Sequence, residues 1–241
     1  FYPPDPDGSI PVGYLWARTI PCQNPSCKAE IPLMRQYWLA KKENKRVSLL
    51  PYTEGNRVNF RVVGDGYEPM PEGFNPEKGT VARAVATCPC CGSSVDANTT
   101  RRLFQEGKAG ERMVAVVLHK QGTSGKRYRI ATEKDMEVFQ KAAAYLEEKI
   151  LQLREEWGME PVPDEPTPEG NGSGAERAFS VRKYGLNTRG DLFNARQKLA
   201  LITFADTVRR AYRRMQAEGM EEEFAKAVVG YLGLATDMMI A

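Results

Sequence analysis

Two cysteine pairs restrict what this chain can fold into. Cys22-Gln-Asn-Pro-Ser-Cys27 is a C-x4-C pair, and Cys88-Pro-Cys-Cys91 holds a C-x2-C pair followed by Gly92. Sixty residues lie between them. Structural zinc sites are tetrahedral and closed by four nitrogen or sulfur ligands. Two short knuckles supply four thiolates, so the pattern predicts a zinc ribbon. In it, β-hairpins present Cys22, Cys27, Cys88 and Cys91 to one structural Zn2+. Pro25 and Pro89 restrict the backbone inside the knuckles, and Gly92 permits the turn that follows. Buried free thiols and disulfides are the alternatives. Disulfides fit poorly, because five cysteines is an odd number and no secretory segment is recognisable. Cys90 is the spare, since pairing it with Cys88 or Cys91 makes a poorer knuckle than C-x2-C. The single histidine, His119, ends an apolar run and reads as an ordinary strand-end residue, which excludes a His-rich catalytic metal site. A zinc ion held by four thiolates has no open position for water, so it serves folding rather than chemistry.

Charge is distributed unevenly. The formal net charge is only +3, but residues 28–46 carry six basic and two acidic side chains. Residues 133–169 carry eleven acidic and four basic, and residues 176–218 carry ten basic and four acidic. Two basic segments around an acidic one suit a surface that meets phosphates. Solvated helix faces are the plainer reading of the same runs. No apolar run reaches the roughly 18 residues of a membrane span, so no membrane partner is expected.

Taken in order, the chain predicts an α+β protein: an antiparallel β-rich zinc-ribbon region followed by a mainly helical half. Residues 3–12 should be extended, and Tyr14–Ile20 a strand entering the first knuckle. Ile31–Leu39 is ambiguous between strand and helix. Lys41-Lys-Glu-Asn-Lys-Arg46 reads as a basic hairpin tip, with Val47–Leu50 and Val58–Val62 following as strands. Residues 64–79, with four glycines and three prolines, make one long loop. Val81–Thr87 is expected as one strand running into the second knuckle, and Thr99–Glu106 as a short helix. Met113–Leu118 should pair with Arg127–Ile130.

The pattern then becomes helical. Thr132 and Asp135 resemble a capping box. Phe139, Ala143, Leu146, Ile150, Leu153 and Trp157 form one apolar stripe on a helix of about 25 residues. Residues 160–174 are linker-like by composition. Asn194 and Gln197 open a second long helix, with Leu201, Phe204, Val208, Ala211 and Met215 as its apolar face. Arg209, Arg210, Arg213 and Arg214 crowd its other side. They either meet phosphates or pair with the acidic segment 133–169. The resulting division is 1–131 zinc-ribbon domain, 132–158 long helix, 159–175 linker and 176–241 helical segment with a basic face.

There is no Gly-rich nucleotide loop and no Ser-His-Asp set, and no motif makes an acid/base pair of Asp5 and Asp7 or of Glu221–Glu223. Three blocks do resemble a known family, the large adenine-specific DNA methylases that contain a zinc ribbon. They are Val12–Leu33, which includes the first knuckle, Ala86–Gly92, and Arg182-Lys-Tyr-Gly-Leu-Asn-Thr-Arg-Gly-Asp-Leu-Phe-Asn-Ala-Arg-Gln-Lys-Leu-Ala-Leu201. The resemblance implies metal ligands at Cys22, Cys27, Cys88 and Cys91 and none at Cys90. The family's core also carries a Gly-rich loop for S-adenosylmethionine and an Asp-Pro-Pro-Tyr motif for the flipped adenine. Neither is in this sequence; Tyr2-Pro-Pro-Asp5 has those letters reversed. Both ends also read as cuts through a longer protein. The resemblance thus implies a target-recognition piece lying between the two landmarks. Such a piece would be cytoplasmic and inactive alone, with S-adenosylmethionine bound only by the parent enzyme. It would contact double-stranded DNA and the rest of the methyltransferase core. The candidate phosphate contacts are Lys41, Lys42, Lys45, Arg46, Arg209, Arg210, Arg213 and Arg214. The alternative is a protein-interaction or scaffold module of a defence or restriction complex.

Overall fold

A computed structural model describes residues 2–170 and 179–238. Two compact units emerge: a β unit of Tyr2–Met136 with Glu169–Gly185, and a helical unit of Glu137–Pro168 with Leu186–Ala241. The strands all lie in the β unit, while most of the helical residues lie in the other, so the fold is α+β as expected.

The β unit holds three antiparallel sheets. The first has strand order β10-β9-β1-β2, from β1 (Ile10–Pro21), β2 (Glu30–Leu33), β9 (Gly110–His119) and β10 (Arg127–Ile130). Its register slips at Pro11/Gly13 and Leu15/Trp16. Proline cannot donate to the ladder, and irregularities of this kind twist and bend a long strand. The second sheet is β3 (Trp38–Lys42), β4 (Lys45–Glu54) and β5 (Arg57–Gly64). On β5, buried Val58 and Phe60 alternate with Asn59 and exposed Arg61, the period-2 signature of a half-buried strand. The stretch Ile31–Leu39 resolves into the end of β2, a loop and the start of β3.

The third sheet corrects the sequence. Val81–Thr87 is not one strand but a tight hairpin, β6 (Val81–Ala82) and β7 (Val85–Thr87), continued by β8 (Ser94–Val95). Arg83 and Ala84 have φ of 50° and 63°, the left-handed pair that a type I′ turn requires. Neither residue advertises that conformation, as Asn-Gly would. The loop after β5 begins at Gly64, where φ is 113° and a Cβ would stand 2.1 Å from the Arg46 carbonyl oxygen, so only glycine fits. Helix α1 (Ala97–Gln105) starts two residues earlier than expected, because Asp96 accepts hydrogen bonds from Asn98 N (2.8 Å) and Thr99 N (3.0 Å).

Two apolar clusters form this unit's core. One joins Ile20, Ile31, Ala86, Val95 and Leu103 to the sulfurs of Cys22, Cys27 and Cys88. The other centres on Tyr37, Leu49, Val58, Phe60 and Val114. Residues 179–185, assigned by sequence to the helical segment, belong to this unit. Tyr184 packs edge-on to Phe104 at 5.5 Å between ring centroids.

Helix α2 (Glu133–Trp157) runs the expected length of about 25 residues; it is followed by α3 (Ala195–Ala217), opened by the expected Asn194–Gln197 capping box, and α4 (Glu222–Asp237). The buried line on α2 is Ala142, Leu146, Lys149 and Leu153, so a lysine stands within it. On α3 the buried residues are Leu199, Ile202 and Asp206, a face rotated from the expected one, and Phe204 is exposed. Residues 160–168 are not a free linker. Pro161 and Thr167 are buried, Thr167 N donates to Asn187 O (2.9 Å), and Gly190 N donates to Pro163 O (2.9 Å). The rest of the expected linker, 171–175, lies outside the described residues, as do residues 176–178 and 239–241 of the expected helical segment.

Candidate metal centre and basic surfaces

Each knuckle is the tip of a β-hairpin. Cys22–Ala29 joins β1 to β2 and closes with Cys22 N donating to Ala29 O (2.7 Å). Cys88–Ser93 joins β7 to β8 and closes with Cys88 N donating to Ser93 O (2.9 Å). Both chains reverse through a left-handed residue just after the second cysteine: Lys28, φ 53°, and Gly92, φ 74°. The first knuckle therefore does with a lysine what the second does with glycine.

The four Sγ atoms all lie within 4.8 Å of one another. Cys22 and Cys91 are 3.6 Å apart at sulfur, and Cys27 and Cys88 are 3.8 Å apart. Tetrahedral zinc–thiolate bonds of about 2.3 Å put sulfurs about 3.8 Å apart, whereas a disulfide needs about 2.05 Å. The cluster can hold a metal ion, and the five cysteines are all free. Cys22, Cys27 and Cys88 are buried and Cys91 is exposed. Burial pushes the Cys22 thiol up to about 12. At the rim, hydrogen bonding from Ser93, whose hydroxyl is 3.3 Å from Cys91 Sγ, holds that thiol down to about 6. Four sulfurs without an adjacent cation repel as thiolates, which a divalent ion would relieve. Cys90 stands outside the cluster. It packs, half-buried, against both apolar clusters, and burial raises its pKa. His119 is the exposed last residue of β9, the strand-end position expected for it.

The basic candidates separate into two kinds. At the β3–β4 tip, Glu43-Asn44 forms the turn, Lys42 stands directly across from Lys45, and Lys41 across from Arg46. Lys41 binds Glu77, whose carboxylate also accepts from Trp38 Nε1 (2.9 Å). Lys45 Nζ donates to the Lys126 carbonyl and lies 5.9 Å from the Tyr128 ring centroid. Among the described residues, Lys42 and Arg46 make no ion pair. On α3 the picture differs. Arg213 pairs with Glu156 (2.6 Å), Arg210 with Asp206 and Arg214 with Glu218 (2.8 Å). The Arg209 guanidinium stacks 4.4 Å from the Trp157 ring centroid. The like-charge crowding expected along this helix is thus relieved from within, partly by the acidic segment itself.

Two charged clusters had no sequence motif. Arg129 reaches Asp5 through Nε (2.6 Å) and Nη2 (2.9 Å), and Asp135 through Nη1 (2.6 Å) and Nη2 (2.8 Å). Asp135 also accepts from Thr132 N (2.8 Å), one half of the expected capping box. Burial opposes ionisation of Asp135, but Arg129 and Thr132 outweigh it and bring its pKa down to about 2. In the helical unit Lys149 Nζ lies 3.1 Å from Asp206 Oδ2, with the two side chains only 7% and 2% exposed. Lys149 is not on the expected stripe of α2, so nothing in the sequence pattern pointed to this pair.

No protein-family model matches this chain, and neither a curated protein nor a solved structure does. Among the described residues, no helix is long and apolar enough to cross a membrane.

Proposed function

We propose that this chain is the DNA-contacting, target-recognition insert of an N6-adenine DNA methyltransferase, stapled by a structural zinc ion on Cys22, Cys27, Cys88 and Cys91. The observation that carries the DNA reading is the β3–β4 tip. Like charges directly opposite each other in a sheet are destabilising, and here two such pairs follow one another on opposite faces, Lys42 with Lys45 and Lys41 with Arg46, with Lys41 alone of the four in an ion pair among the described residues. A chain keeps that arrangement where a polyanion neutralises it. The zinc reading is supported by the sulfur separations and by a donor set made only of thiolates. The methyltransferase reading rests on the three sequence blocks. It assigns base flipping and S-adenosylmethionine binding to the rest of the parent enzyme and places the protein in the cytoplasm with its DNA.

A protein-docking module is the second reading, favoured by α4. Phe224, Tyr231, Leu234 and Met238 are exposed on or at the end of that helix, Tyr231 to 76%. A fluorescence-anisotropy titration of the zinc-loaded protein with a duplex separates the two. Three to four phosphate contacts weaken binding roughly 40- to 150-fold between about 50 and 200 mM salt. Absence of binding at low salt, with zinc present, removes the DNA reading for this chain and leaves the docking one.

A further inference from the structure

We infer that the β3–β4 hairpin enters the major groove as a two-stranded ribbon, with Lys42, Arg46 and Lys126 as phosphate contacts and Lys45 as the residue that positions them. This rests on the DNA reading above. It adds a residue and a geometry that the sequence did not offer, and it excludes the α3 arginines.

The argument begins with alternation. Cross-strand partners share a face, and successive residues point to opposite faces. Lys42 and Lys45 therefore lie on one face of the ribbon and Lys41 and Arg46 on the other. The major groove is about 12 Å wide, admits a two-stranded β-ribbon, and has a phosphate wall on each side. A ribbon that carries cations on both faces matches that cross-section. A cationic face on one side only would suit lying flat on a backbone.

The second hairpin extends the Lys42 face. Lys45 Nζ donates to the Lys126 carbonyl, and a Cβ on Gly125 would stand 3.7 Å from that same nitrogen. The loop between β9 and β10 is thereby tied beside the tip, and Lys126 is exposed. Acidic groups nearby are already engaged. Glu77 is taken by Lys41 and Trp38, Asp7 by Arg127 (3.3 Å), and Asp65 Oδ2 by the backbone N–H of Arg46 (2.7 Å). Asp65 keeps its charge, since a backbone N–H does not neutralise it, and so does Glu43, which shares the apex with Asn44. A carboxylate there can accept from a cytosine amino group, and an amide can pair with an adenine edge. The α3 arginines offer no comparable surplus, since each already has a carboxylate or an aromatic ring as partner.

The test compares the zinc-loaded wild type with Lys42→Gln/Arg46→Gln/Lys126→Gln, and with Arg209→Gln/Arg214→Gln. Melting temperature and bound zinc serve as folding controls. The tip variant should lose about 3 from the slope of log K against log salt, about 1 per contact. The α3 variant should keep the wild-type slope. Methyl green, which occupies the major groove, should compete with the protein, and the minor-groove ligand netropsin should not. Steep wild-type binding that survives in the tip variant, or that netropsin alone displaces, overturns this inference and leaves the DNA reading standing. No wild-type binding overturns both.

Discussion

Removing Asp206 should damage the helical unit more than removing Lys149, and removing both should cost little. Lys149 and Asp206 are 3.1 Å apart and nearly excluded from water. At that distance, with an effective dielectric of about 20, their attraction is about 5 kcal/mol. Desolvating each ion costs several kcal/mol, which consumes most of that gain. The pair is therefore close to neutral against a well-packed apolar pair. Breaking it is another matter, because the survivor is stranded. Asp206→Leu leaves the Lys149 ammonium buried without its partner, at about 3–5 kcal/mol. Lys149→Met leaves Asp206 with Arg210, whose side chain is 63% exposed and can bring solvent with it, so about 2 kcal/mol is expected. Asp206 Oδ1 already lacks a hydrogen-bond partner among the described residues, which limits what that carboxylate contributes.

Urea denaturation of the two single variants and the double variant, followed by far-UV circular dichroism, gives the thermodynamic cycle. The double variant should fall within about 1 kcal/mol of wild type. A double variant as unstable as the sum of the singles would refute the reasoning, since the pair would then be a net source of stability. The pH dependence gives a second check. Burial opposes ionisation of Asp206, but hydrogen bonds from Arg210 and Lys149 outweigh it and hold its pKa below the usual carboxylate range. Its contribution is therefore present above the unfolded carboxylate pKa and fades as pH falls through the lower folded value. Asp206→Leu should lose that acid-side dependence.

Stripping the proposed zinc ion with a chelator should unfold the β unit, because three of the four sulfurs are part of one of its apolar clusters. Loss of sheet signal in circular dichroism on adding a strong chelator, restored by zinc, is the expected result. Gly92→Ala should destabilise by about 1–2 kcal/mol and Lys28→Gly should stabilise by up to about 1 kcal/mol, both read as shifts in urea midpoint. Nothing stands within 4 Å of a Cβ at Gly92, so the cost there is the left-handed backbone alone. Asp135→Asn should cost about 2 kcal/mol at pH 7, since the folded pKa of about 2 lies below the ordinary aspartate value of about 3.9. That difference from wild type should vanish as pH falls from about 4 to about 2, and a gap that persists at pH 2 would mean Asp135 acts through packing instead.

What the sequence carried were local features. The knuckle cysteines, the Asn194–Gln197 box and the lysine-rich tip each depend on residues a few positions apart, and each stands where its spacing put it. What escaped were decisions made by distant neighbours. Arg83 and Ala84 adopt left-handed φ values without the usual residues, in a hairpin whose strands lead into the second knuckle. Lys149 lies beside the expected stripe of α2 and is buried because Asp206, 57 residues away, faces it. The buried face of α3 differs from the expected one for the same reason, because it bears Asp206, which apolar periodicity does not mark.

The arginines of α3 mark where composition stops informing. Four of them within six residues are equally compatible with a polyanion and with acids elsewhere in the chain. Local charge cannot decide between these, because both relieve the same repulsion. Partners decide it: Arg213 is held by Glu156, and Arg209 lies over Trp157. The tip of β3–β4 shows the opposite balance, with as many cations, four within six residues, and fewer internal partners. A phosphate contact is better sought where cations lack an internal partner than where each already has one. Arg46 and Lys42 therefore have a stronger claim than any arginine on α3.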